Sequence, residues 1–180
     1  MLAYIFVIFA IAVRISLWPY LWGFTPLAAS LLFFGARGSR RQLWIPLVLM
    51  VACDVVLTKL IYVYSLTPEH FVSWAWYAAI LWLGTRLGRN PRPLPVIGAA
   101  LASSVSFFLV SNFSSWASWT DMYPRSLNGL MAAYAAGLPF FRRSVQGDLL
   151  FTVTMFATPV ILRAISGNFS KAADDHIRPA

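Results

Sequence analysis

Leu43 to Tyr64 reads LWIPLVLMVACDVVLTKLIYVY, and this stretch decides the fold class. It is apolar almost throughout, yet it carries Asp54 and Lys59. At about 1.5 Å per residue, a helix over it reaches about 33 Å, enough to cross a hydrocarbon core of about 30 Å. The expected element is a transmembrane helix with two ionisable groups along its length.

The rest of the chain has the same character. It is 59% hydrophobic and 11% charged over 180 residues. Soluble domains run at about 45–50% apolar and about 25% charged, because a surface in water needs charges. Lipid removes that need. The reading is an all-α integral membrane protein of about six transmembrane helices. Residues 1–165 form a single transmembrane domain, and 166–180 form a cytoplasmic tail, expected to be disordered. The spans are Leu2–Trp18, Pro26–Phe34 (too short to cross alone), Leu43–Tyr64, Phe71–Leu87, Leu94–Phe113 and Asp148–Ile165. Ser65–His70 reads as a polar turn, and Gly88 as the stop of the fourth span. Ser114–Pro124 reads as a Trp- and Ser-rich loop. Arg125–Phe141, interrupted by Gly129, Gly137 and Pro139, reads as a broken or interfacial helix before the last span.

The net charge is +8, from 14 Lys and Arg against 6 Asp and Glu. The basic residues cluster in short segments between apolar runs, which argues for membrane orientation and against nucleic acid. Arg37, Arg40, Arg41, Arg86, Arg89 and Arg92 fill the second and fourth loops, while the first and third hold no Lys or Arg. That asymmetry places the N-terminus in the cytoplasm, with membrane lipid around the spans. Arg125, Arg142 and Arg143 run against it. A seventh span over 125–141 would move Arg142 and Arg143 inside. Met1–Val13 lacks a basic flank and reads as a retained first helix. The single cysteine, Cys53, excludes an internal disulfide.

Ionisable groups in a membrane span are costly, so Arg14, Asp54 and Lys59 are the first candidates for function. Asp54 and Lys59 are five apart and share no helix face, so Arg14 is the expected partner of Asp54 across helices. Lys59 snorkels to the interface in this reading. Cys53 is a small buried hydrophobe or, alternatively, a thiol ligand to a metal-containing substrate such as a cobalamin. Trp18, Tyr20, Trp22, Phe24, Trp116, Trp119 and Tyr123 suit an interfacial belt, or a lid over a flat organic ligand. Asn112, Asp121, Arg125 and Asn128 would supply that ligand's polar contacts. No HExxH, P-loop, Gly-rich phosphate loop or cysteine pair occurs. The reading is therefore not an enzyme, with no cofactor, and active transport would borrow an ATPase.

Several motifs resemble those of a bacterial family of small membrane transport proteins similar to the substrate-binding S components of energy-coupling-factor (ECF) vitamin transporters. They are Gly23-Phe24-Thr25-Pro26, Leu32-Phe33-Phe34-Gly35-Ala36, Asp54, Ser111-Asn112-Phe113 with Trp116, Met122 to Leu130, Tyr134, Leu138 to Phe141, and Gly147-Asp148-Leu149. In that family a serine is expected where this chain has Cys53, and an asparagine where it has Gly23. The resemblance implies six helices, an outward cavity roofed by loops, a small vitamin-like substrate, and an ECF coupling subunit with ABC-type ATPases as partners. Arg14, Phe24, Asp54, Asn112, Trp116, Tyr123, Arg125 and Asn128 are then the candidate substrate-binding residues. The alternatives are a structural or assembly subunit of a membrane complex, and a membrane enzyme acting on a lipid or isoprenoid through Asp121 and Arg125.

Overall fold

A computed structural model describes residues 1–16, 23–118 and 122–177, with side chains to Gly167. Among the described residues the chain is all-helical, without strands. The α-helices are α1 (Leu2–Ser16), α2 (Leu27–Arg37), α3 (Trp44–Val56), α4 (Pro68–Leu87), α5 (Pro93–Ser118) and α6 (Leu127–Ile177). A 3-10 turn, Arg40–Gln42, precedes α3, and a π-helical turn, Leu57–Ile61, prolongs it. Three stretches are long and apolar enough to cross a membrane: Arg40–Ile61, Pro93–Ser118 and Leu127–Gly167. Among the described residues this is a helical membrane protein of six α-helices, with three stretches of spanning length where six were expected.

Helix α2 explains the difference. Every residue from Leu27 to Ala36 is buried. A helix that is apolar all round must be enclosed on all sides. Here α1, α4, α5 and α6 enclose it. The sequence suggested a tilted, partly buried span; the structure shows a short core helix at the centre of the bundle. Tyr4 packs edge-on against Phe34, and Phe33 lies between Phe6 and Phe156, so aromatic contacts run outward from α2 to α1 and α6.

The crossing of α2 with α4 is closer than side chains permit. A Cβ added at Gly35 would collide with the Leu81 carbonyl and lie 2.9 Å from Gly84 Cα. One added at Gly84 would collide with the Leu32 carbonyl. Small residues at such crossings let backbones meet, the main source of helix association in lipid.

Three boundaries differ from expectation. α5 continues to Ser118, so Trp116 belongs to a helix and not to a loop. α6 is continuous from Leu127 to Ile177, with Pro139 and Pro159 inside it. The broken segment and the last span are therefore one helix, and most of the residues assigned to the tail continue it. Proline and glycine interrupt helices less in a bundle that re-satisfies the freed backbone groups. The polar turn is also shorter than expected, because α4 starts at Pro68 and His70 completes a capping box with Thr67. Gly88 does end α4, with φ of 72°.

Tyr4 donates to Gln42 and Arg40 Nη2 donates to the Thr85 carbonyl at 2.7 Å, which gathers the start of α1, the α2–α3 connection and the end of α4 at one end of the bundle. Gly35→Val should cost at least about 3 kcal/mol, the upper part of the overpacking range, because it strikes backbone. Gly98→Ala, with nothing within 4 Å of the added Cβ, should be neutral or stabilising by up to about 1 kcal/mol. Denaturation in mixed detergent micelles checks both.

Candidate functional site

Arg14 lies in the last turn of α1 and Asp54 in the last turn of α3. Counting helix rise from Tyr4 and Trp44, both stand about 15 Å from the arginine-rich end, deep in the bundle. Arg14 Nη2 meets Asp54 Oδ1 at 2.6 Å. Arg14 Nη1 donates to the Tyr77 hydroxyl at 2.9 Å, and Trp74 Nε1 donates to Asp54 Oδ2 at 3.0 Å. Trp74 and Tyr77 are three apart on α4 and so share a face. Thus α4 supplies one donor and one acceptor to a pair formed by α1 and α3. Asp54 is 5% exposed and Arg14 26% exposed at the side chain.

The exposed part of Arg14 opens into a cavity of about 190 Å³. Thr25, Tyr77, Phe107, Ser144 and Asp148 are among its other walls. Gly23 closes one side. Its φ of 76° is a left-handed conformation that suits glycine and, next best, asparagine. Its carbonyl accepts from Ser144 Oγ at 3.1 Å, which seats the loop on α6. The Phe24 ring packs on Phe151 at 5.4 Å and so anchors the same loop.

Two more cavities adjoin along the α5–α6 seam. One, of about 190 Å³, shares Phe107 and Ser144 with the first. The other, of about 240 Å³, shares Asn112, Gly137 and Phe140 with the second and reaches Tyr123. The Asn112 side chain lies over Gly137 and donates to the Phe108 carbonyl at 2.8 Å. Side chains larger than hydrogen at 137 would close this seam.

The candidate residues therefore divide. Arg14 walls the first cavity, and Asp54 and Phe24 hold its walls in place. Asn112 and Tyr123 line the seam further along. Trp116 and Arg125 stand apart from it. Trp116 Nε1 donates to the Pro124 carbonyl at 3.0 Å, and the Arg125 guanidinium lies over its ring and donates to the Ala117 carbonyl. They clasp the end of α5 to the connection that precedes α6. Asn128 is exposed, as is Lys59. Cys53 is buried and lines none of the three cavities. Trp18, Tyr20, Trp22, Trp119 and Asp121 lie outside the described residues. Among the described residues, no group of three His, Cys, Asp or Glu side chains is placed to hold a metal ion.

Asp148 is the site residue that the sequence reading missed. It is buried on α6 and accepts from Ser104 Oγ at 2.6 Å. Placing it at the start of a span made it an interfacial residue, but the continuous α6 puts it within the bundle. Trp74 and Tyr77 were missed too. Their signal was the three-residue spacing of two polar-tipped aromatics inside an apolar segment.

Fold and site together define a helical membrane protein with a buried ion pair beside a largely apolar, partly open cavity in its bundle. The chain belongs to DUF6580, a family of unknown function that matches residues 1–168. No curated protein and no solved structure matches it.

Removing one partner of a buried ion pair leaves the other uncompensated. Asp54→Ala should therefore destabilise by about 3–5 kcal/mol. The double change Arg14→Met with Asp54→Leu should cost less than Asp54→Ala alone, and a double-mutant cycle in detergent measures the difference.

Proposed function

We propose that this chain is a substrate-binding membrane subunit that captures a small organic, vitamin-like nutrient for uptake across the bacterial inner membrane. The observation that carries this reading is the cavity of about 190 Å³ walled by Arg14 and Asp148 inside an otherwise apolar bundle. Enclosed pockets with apolar walls and a few convergent polar groups are where small molecules bind. Charged groups retained within a bundle that lies in lipid need a purpose or a partner, and here they border open space.

The distribution of arginines supports a cytoplasmic N-terminus, so the Gly23–Thr25 loop faces outward in this reading. Substrate enters beside that loop and rests against Arg14, Tyr77 and Phe107. Closure of the loops occludes it, and a change in the protein's orientation or shape releases it inward. The sequence holds no nucleotide-binding motif. An ECF-type coupling subunit with ABC-type ATPases would supply the energy.

Mass spectrometry of mildly purified protein tests this reading. The wild type should retain one small organic molecule in near-stoichiometric amount. Ser144→Trp, which fills the cavity and removes the bond to the Gly23 carbonyl, should retain at least tenfold less while still eluting as a folded, monodisperse protein. Retention of lipid alone, with a stable non-ATPase partner in pull-downs, would instead identify an assembly subunit.

A further inference from the structure

We propose that the cavity selects a ligand carrying a positively charged nitrogen, and that Asp148 is the carboxylate that receives it. This rests on the reading of the cavity as a ligand site and adds the charge class of the ligand. The charges around the cavity are unequally matched. Arg14 is matched by Asp54 at 2.6 Å, and another of its donors is taken by Tyr77. That arrangement is neutral overall, although the uncovered part of Arg14 remains a wall of the cavity. Asp148 has no such match. It makes no ion pair among the described residues, and its partner is the Ser104 hydroxyl on Oδ2. Ser104 also contacts the Ala100 carbonyl at 3.3 Å, so it is a shared donor.

Asp148 is 7% exposed, and the space it faces is the cavity. One hydroxyl bond does not compensate a carboxylate removed from water. A cation delivered by the ligand would. An anionic ligand would face Asp148 and find Arg14 already engaged. Arg142 and Arg143, on the same helix, are exposed and line none of the cavities, so neither neutralises Asp148 from within.

The remaining walls fit an organic cation. Trp76, Tyr77 and Phe107 are among the walls, and aromatic rings attract cations to their faces. The Trp76 ring is fixed by its Nε1 bond to Ser106 at 3.0 Å and by Phe107 at 4.8 Å. A water molecule takes up about 30 Å³ of liquid, so this cavity exceeds what a bare ion fills. Its continuation along the α5–α6 seam leaves room for an apolar body behind the charged nitrogen.

Three probes of similar shape test the proposal on the full chain in nanodiscs: 2-phenylethylamine, 2-phenylethanol and phenylacetate. Calorimetric titration should show the amine binding at least tenfold more tightly than the alcohol, and phenylacetate more weakly still. Asp148→Asn should reduce amine affinity at least tenfold, to the level of the alcohol, whereas Ser104→Ala should keep the preference. An amine preference that survives Asp148→Asn overturns the assignment. The wild-type ranking decides even where a variant fails to fold. Preference for the alcohol or for phenylacetate overturns the cation while leaving the ligand site standing. Binding of none of the three also overturns it, and the retained-ligand measurement then judges the site separately.

Discussion

The bond between Arg14 and Asp54 is the constraint on which the rest of this molecule depends. In water such a pair contributes little, because both ions are well solvated apart. Within a helical bundle in lipid the balance changes. Each ion alone is costly at depth, and the cost is met only when the partner and further hydrogen bonds are in place. One carboxylate oxygen of Asp54 lies 2.6 Å from the Arg14 guanidinium on α1, and the other accepts from Trp74 on α4. The pair thereby fixes how α1, α3 and α4 stand relative to one another. The part of Arg14 left uncovered becomes a wall of the cavity. Holding the helices and shaping the site are thus one arrangement.

The second constraint is steric. α2 is too short to cross a membrane, and it survives in the centre because four helices supply its surroundings. Gly35 and Gly84 allow α4 to approach within backbone contact, which draws Tyr77 and Trp74 toward α1 and α3. On the other side, the long helices α5 and α6 meet through the Ser104–Asp148 bond and the Asn112–Gly137 contact. The three cavities adjoin one another along this seam.

Much of this was legible in the sequence, and the failures have physical causes. The membrane class followed from apolar excess. The Arg14–Asp54 pairing followed from the cost of lone charges in lipid and from the poor five-residue spacing of Asp54 and Lys59. Helix ends were less legible. Gly129, Gly137 and Pro139 read as breaks, yet α6 passes through them, since helices in a bundle tolerate residues that would end a helix in water. That error moved Asp148 to an interface and hid it. A polar stripe was available as a signal, because Ser144, Asp148 and Thr152 recur every four residues and so share one face. Trp116 and Arg125, candidate ligand contacts by composition, also tie α5 to the connection that precedes α6, and nothing in their spacing announces that contact.

The account stands or falls on whether the space between Arg14 and Asp148 holds a molecule. A cryo-electron microscopy structure of the full chain in nanodiscs, prepared without stripping bound molecules, addresses this most directly. The account predicts compact non-protein density between the two side chains, with the Arg14–Asp54 bond intact beside it. A space closed by neighbouring side chains, or filled only by an acyl chain from the surrounding lipid, would contradict it.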